Sequence, residues 1–348
     1  MIWREVLQDS MATISVVIPV YNGAATLGAC LKALIGSDTG DDALEVIVVD
    51  DGSSDGSADL AEGLGVRVLR LERNSGPATA RNRGAAASSG DVVVFLDADM
   101  QVKQGTISAL AERVNDPSIG AVFCPYDPTT KYAHKFATFV NLLYCFWFSN
   151  HPVNSNVLVG SAMAMRREVF EANRFDECFS RASVEDIELG WALLSRGLGI
   201  MLAKDLPVSN IDEMTPLRFW RSRYHIDRCW VKAYLRHVHK QGSSFQPFNA
   251  FYHPVNVVLL TGLLLSIVIS TTGAIHTGIL AIIGPAIVIW NLQFLAFALR
   301  YTNPLIAVEA FLHALVFPLI HVSGLTVGTL QWITGDRIPC KRDATPGQ

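Results

Sequence analysis

Two carboxylates separated by one small residue, Asp97-Ala98-Asp99, follow directly on the apolar run 92–96. Hard oxygen ligands of this kind suit Mg2+ or Mn2+, ions that keep several waters and take the rest of their shell from substrate phosphates. A D-x-D pattern alone is common, and its place at the end of a buried strand is what gives it weight. A second acidic pair, Glu185-Asp186, opens an amphipathic stretch that continues through Gly190 and Trp191. A carboxylate in the first turn of such a helix is placed to take a proton from a hydroxyl, although acids also favour a helix N-terminus on dipole grounds alone. A third cluster, 218–240, carries seven Lys/Arg against one Asp, interleaved with Phe219, Trp220, Tyr224, Trp230 and Tyr234. That mixture suits a helix lying in the headgroup region of an anionic leaflet.

The elements that must position these groups are legible as repeating strand–turn–helix units. The β-branched run 14–20 ends in Tyr21-Asn22-Gly23 and is followed by a helical pattern over 24–35. Residues 44–49 run into Asp50-Asp51-Gly52-Ser53 before a helix-prone 58–64, and 66–71 leads through Asn74-Ser75-Gly76-Pro77 into 78–87, with Pro77 suited to a first helical turn. Uniformly apolar strands alternating with helices predict an α/β fold with a mostly parallel sheet covered on both faces. Each polar cluster falls just past the C-terminal end of a strand, the edge at which open α/β sheets bind ligands.

The ordered set Ile18-Pro19-Val20-Tyr21-Asn22, Asp50-Asp51-Gly52-Ser53, Asn74-Ser75-Gly76 with Ala80-Arg81-Asn82, Asp97-Ala98-Asp99 and Glu185-Asp186 resembles the family 2 glycosyltransferases of the GT-A fold, over about residues 12–215. The resemblance implies an inverting, metal-dependent transfer of a sugar from a nucleotide-diphosphate donor. It places Pro19, Tyr21, Asn22, Asp50 and Asp51 around the nucleoside, Asp97 near the ribose and the metal, and Asp99 on the metal. Arg81 is one candidate guanidinium for the diphosphate, against a plainer reading in which it pairs with Asp91 or Glu72. Asp186 is the expected base. Glu185, Trp191 and the segment holding Gly160 and Ser161 are expected beside the acceptor, with a core strand as the alternative for that segment. Membrane-bound relatives often carry an arginine-bearing helix after the Glu-Asp pair, which makes Arg221 and Arg223 donor-diphosphate candidates. The Q-x-x-R-W pattern of processive synthases is missing from the sequence, which counts against a threaded polymer.

Composition points the same way. Half of the 348 residues are apolar and 17% are charged, which is greasy for an ordinary soluble enzyme, and the excess lies in the last third. A net charge of −4 gives no reason to expect a nucleic-acid partner. The six cysteines form no C-x-x-C pair. Residues 1–11 have no apolar signal-peptide core, so the catalytic domain is expected in the cytosol. The expected organisation is a catalytic domain over 12–215, a basic interfacial segment over 216–250, a membrane region over 255–333 and a tail over 334–348. Stretches 255–274 and 277–299 lack Lys, Arg, Asp and Glu and are long enough to span a bilayer, expected to be the plasma membrane. The stretch 304–332 is interrupted by Glu309, His313, Pro318 and His321, which leaves a third span and a re-entrant segment both open. The short apolar run 139–148 reads as an interfacial helix near the acceptor or as a core helix. The expected acceptor is a glycolipid or lipid-linked saccharide. A polyprenyl-phosphate sugar transferase and a non-catalytic, nucleotide-sugar-binding membrane subunit are the competing readings.

Overall fold

The structure is a computed structural model that describes residues 13–36, 44–179, 181–241 and 276–336. The chain divides into two compact units, one built from residues up to Pro125 together with Pro152–Ile211, the other from Tyr126–His151 together with the chain from Asp212 onward. The division differs from a contiguous 12–215 catalytic domain, because 126–151 leaves the sheet to pack with the C-terminal helices.

In the first unit β1 (Ile14–Val20) is followed by α1 (Ala24–Ile35), β2 (Leu44–Asp50) by α2 (Ser57–Gly63), and β3 (Arg67–Arg70) by α3 (Pro77–Ala87). Next come β4 (Val92–Leu96), β5 (Met100–Gln101), α4 (Thr106–Arg113) and β6 (Ile119–Phe123). The sheet order is β3-β2-β1-β4 and then three later strands that flank β6, namely β8 (Ala162–Arg166) between β4 and β6, with β9 (Gly199–Leu202) and β7 (Asn154–Ser155) beyond. Strands β1 to β4 and the β6–β9 pair run parallel, whereas β8 is antiparallel to both of its neighbours. Val93, Val94, Phe95 and Leu96 are fully buried, as a central strand covered on both faces requires. Helix α3 lies so close to the sheet that a Cβ on Gly84 would collide with Val17 and Val49. The register of Val20 opposite Asp50, and of Leu96 opposite Ala162, brings the ends of β1, β2 and β4 and the start of β8 to one edge. The unit is completed by α6 (Arg167–Glu171), α7 (Glu185–Ser195) and β10 (Ser209–Asn210), the last pairing with β5.

The second unit is helical. Its elements are α5 (Lys135–Asn150), α8 (Pro216–Gln241), α9 (His276–Tyr301), α10 (Pro304–Val316) and α11 (Pro318–Ile333). Phe136, Phe139, Leu142, Leu143 and Phe146 recur at helical spacing on α5 and pack with Phe219, Phe294, Phe297 and Phe317 in a single aromatic-rich core. Residues 139–148 therefore belong to a core helix rather than to an exposed interfacial one. Of the expected spans, 255–274 lies outside the described residues and 277–299 falls within α9. Asn303 caps α10 by accepting the Ile306 N–H at 3.0 Å, and Phe317, in helical conformation, joins α10 to α11. Among the described residues, this 30-residue run Pro304–Ile333 is the one helix long and apolar enough to cross a membrane.

Candidate active site

Ionisable side chains from three separate stretches meet at the C-terminal edge of β4. Arg81, on α3, is buried and donates from Nη2 to Asp97 Oδ1 at 2.7 Å and from Nη1 to Glu185 Oε1 at 3.0 Å. Its guanidinium also sits 5.4 Å from the centre of the Phe175 ring. Burial works against the charge, but Asp97 and Glu185 more than offset it and hold the guanidinium above its usual range. The partners Asp91 and Glu72 are not the ones used; Asp91 instead accepts from the Thr13 backbone and hydroxyl. An arginine spent on two carboxylates is a brace between the D-x-D loop and α7 rather than a free anion ligand.

Asp186 stands next to this brace. Its Oδ2 accepts the Gly160 N–H at 2.7 Å and its Oδ1 the Ile187 N–H at 2.8 Å. Burial above all, with the adjacent Glu185 charge, pushes its carboxyl up to about 7, against the pull of the Gly160 N–H and of Arg81. That is the range in which a carboxylate becomes a competent general base near neutrality. Gly160 allows this close approach, since a Cβ there would come within 3.2 Å of the Asp186 Cβ and 3.3 Å of Oδ2. The Ser161 carbonyl accepts the Asp97 N–H at 2.8 Å, which ties the D-x-D motif to the same strand, while its hydroxyl is buried without a partner among the described residues. The segment is both a core strand start and a wall of the site.

Asp97 and Asp99 are both half-buried. The buried Cys30 thiol beside them is pushed up to about 12, first by burial and then by Asp99 and Asp97, a sign that this edge carries net negative charge. Among the described residues no cluster of three or more His, Cys, Asp or Glu is arranged around a common point. Two carboxylates without a third protein ligand fit Mg2+ or Mn2+, which complete their shell from water and phosphate, and do not fit a closed structural metal site.

The nucleoside-side candidates divide. Tyr21 is 52% exposed at the edge and Pro19 is half-buried. Asn22 adopts φ +50 and accepts the Ser54 N–H at 2.9 Å, while Asp50 Oδ1 accepts the Ser53 N–H at 3.2 Å. Asp51 accepts the N–H groups of Ser75 at 2.7 Å and Gly76 at 2.8 Å. These three residues build the loops of the edge, as Asx turns do, and Asp51 locks the approach to α3.

Three candidates are corrected by the packing. Trp191 is only 2% exposed, inside the core, and cannot stack on a sugar from there. Glu185 is buried against Arg81 and accepts the Ser183 N–H at 2.8 Å, so it supports the site and does not face an acceptor. Arg223 is half-buried in the helical unit, donating to Asp227 at 3.0 Å and to the Tyr144 hydroxyl at 3.4 Å. Arg221 is exposed on α8. One contributor went unassigned in the sequence. Asn82 donates to the Phe175 carbonyl and to Glu177, both at 2.9 Å, and accepts the Phe175 N–H at 3.1 Å. It holds the ring on which Arg81 rests, and the signal was the coincidence of Ala80-Arg81-Asn82 with Phe175-Asp176-Glu177.

Residues 15–174 match the family model of glycosyl transferase family 2. The family 2 match spans β1 through α6 and thus covers both acidic residues of the D-x-D motif, Arg81 and Gly160. The Glycosyltransferase GlyG of Streptococcus pneumoniae is 32% identical over 118 residues, 32% of this chain and 38% of that protein. The pre-mycofactocin glycosyltransferase of Mycobacterium tuberculosis is 29% identical over 220 residues, 60% of this chain and 45% of its own length. The chain thus spans less than half the length of either relative. A solved structure, the mannosyltransferase PcManGT from Pyrobaculum calidifontis in complex with GDP-Man and Mn2+, superposes with a TM-score of 0.63 at 19% identity, covering 88% of each chain. At that identity the likeness establishes the GT-A fold and nothing finer.

Proposed function

We propose that this chain is an inverting glycosyltransferase that takes a sugar from a nucleoside-diphosphate donor and delivers it to a hydroxyl presented at a membrane, with Asp186 as the base. The observation that carries the reading is the Asp186 carboxylate, raised to about 7 and aimed by two backbone N–H groups beside the Arg81-braced Asp97. A hydroxyl approaching the open side of the site gives its proton to Asp186 as it attacks the anomeric carbon. A single displacement then breaks the bond to the diphosphate and inverts the centre. Fixing both Asp186 oxygens before the substrate arrives reduces the reorganisation needed at the moment of transfer.

Asp97 and Asp99 would hold a Mg2+ or Mn2+ ion, which when bound supplies positive charge for the departing diphosphate. Arg81 keeps Asp97 in place. Asp51, by fixing Ser75 and Gly76, shapes the edge on which the exposed Tyr21 can meet a nucleoside. The membrane side of the proposal rests on the long apolar helix Pro304–Ile333 and on the apolar stretches of the sequence before it. The test is a donor screen on the full chain in lipid, reading nucleotide release with and without a lipid-extract acceptor. Acceptor-dependent release that is lost in Asp186→Asn supports the assignment. Release that is independent of any acceptor, or undiminished in the variant, contradicts it.

A further inference from the structure

Among the described residues, the apolar run Pro304–Ile333 is held at several points along its length by α8 and α5. Phe317 stacks on Phe219, His321 Nδ1 lies 2.6 Å from Asp227 Oδ2, and Asp336, just past α11, receives a hydrogen bond from Lys232 Nζ at 2.7 Å. Between these points Gly324 meets Asp227 and the Tyr224 carbonyl, and Gly328 meets Arg228 and Val231, at distances that leave no room for a Cβ. Position along α11 therefore rises with position along α8, so the two helices run side by side and parallel. In α10, Glu309 pairs with Lys135 of α5 at 3.1 Å.

Among the described residues the opposite face is unpartnered and mostly apolar. Leu305, Val308, Leu312, Leu319, Leu330 and Ile333 are 40–70% exposed. At about 100° per residue they fall within roughly 80° of one another around the helix, on the side away from Ala307, Ala310, Ala314, His321, Gly324 and Gly328. The exposed Ser323 and Thr326 hydroxyls nearby donate back to the Ile320 and Val322 carbonyls at 2.7 Å, so they ask nothing of a solvent.

A helix that crossed the bilayer here would draw α8 across with it, bringing Arg221, Arg223, Asp227, Arg228 and Lys232 to hydrocarbon depth, which side chains of this kind avoid. We propose that Pro304–Ile333 does not cross the membrane but lies in one leaflet, its apolar stripe in the acyl–headgroup boundary and its packed face on α8, so that residue 336 stays on the side where α8 begins. The occupant of the stripe is lipid. Only four residues separate Ile211 from Pro216 of α8, too few to cross a bilayer. The basic residues that follow, Arg337, Lys341 and Arg342, then obey the same charge rule as α8 instead of opposing it. This inference rests on the membrane reading of the proposed function.

The test uses the full chain in sealed phosphatidylethanolamine/phosphatidylglycerol vesicles of one orientation. A protease-cleavage sequence is inserted after Asp336 in one variant and beside Gly65, where a side chain meets nothing within 4 Å, in another. Both sites are expected to be cut from the same side without detergent. In the unmodified chain, lipids carrying a photoreactive group near the headgroup should label peptides across the whole of 304–333, and lipids carrying it at the chain end should label none of them. Cleavage from opposite sides, or deep labelling centred near Phe317, overturns the in-plane placement and leaves the membrane reading standing. Failure of the chain to float with the vesicles overturns both.

Discussion

Each of the two units pairs an arginine with a carboxylate, and the two arginines serve different ends. Arg81 joins two segments that are 16 and 104 residues away in sequence, and its partner Asp97 is still 32% exposed at the edge of the sheet. Arg223 pairs with Asp227 one turn along its own helix, and Asp227 is shared with His321 of α11. The first arrangement leaves a carboxylate half in solvent, where a ligand can reach it. The second closes its charges between helices and fixes how those helices pack. A buried charge marks a reacting edge only when one of its partners remains accessible.

A large effect should come from removing the second carboxylate of that edge, Asp99. Asp99→Ala is expected to lower transfer by about 10²–10³-fold with the circular dichroism spectrum unchanged, and excess EDTA should do the same to the unaltered chain. Undiminished activity in EDTA would remove the cation from the account. By comparison, Asp336→Ala, which frees Lys232 in the helical unit, should leave turnover close to that of the parent.

Breaking each arginine sharpens the contrast. Arg81→Met leaves Glu185 buried without its cation and should cost about 3–5 kcal/mol in denaturant unfolding. Arg223→Met should cost less, about 1–3 kcal/mol, because His321 still faces Asp227. Equal losses would mean that the two ion pairs are equivalent supports and that the Asp97 edge has no special status.

Close approach can be compared in the same manner. Gly84→Ala drives a methyl into Val17 and Val49, and Gly328→Ala drives one into Val231 and to within 2.6 Å of the Arg228 carbonyl. Each should destabilise by about 1–3 kcal/mol, the first read in unfolding of the sheet unit and the second in proteolytic exposure of α8. A Gly328→Ala variant with unchanged protection would weaken the parallel α8–α11 packing on which the in-plane helix depends.

The smallest and most diagnostic effect is the pH profile. With its carboxyl raised to about 7, Asp186 holds a proton in the folded chain at pH values where the unfolded chain has released it. Its contribution to stability therefore falls as pH rises from the ordinary carboxylate range through about 7. Activity should move in the other direction, rising through the same window as the base ionises. A profile flat from pH 6 to 8 would separate Asp186 from proton transfer.

Much of this was legible in the sequence and some was not. The early strands and helices fell where apolar periodicity and turn residues put them, because strand ends are marked locally by Asn, Asp and Gly. The insertion of β8 between β4 and β6 was not legible, since strand order is set by tertiary packing. The same holds for Arg81. Its charge and helix were readable, but its partners Asp97 and Glu185 are distant in sequence, and nothing local distinguishes a brace from a phosphate ligand. Residues 139–148 were ambiguous because a run of Phe and Leu has the same pattern in a protein core as against lipid, and 304–332 because its polar residues fit a third span or a re-entrant segment equally. For 139–148, the packing of Phe139 among Phe136, Phe219 and Phe294 separates the two.

The most direct test of the central claim is isothermal titration of the nucleoside-diphosphate sugar into the Asp186→Asn chain, run beside a transfer assay with the same donor. The expected result is donor affinity within a few-fold of the parent and transfer reduced by about 10²–10⁴-fold. Loss of donor affinity in step with transfer would contradict it, and would place Asp186 among the residues that hold the donor instead of the one that activates the acceptor.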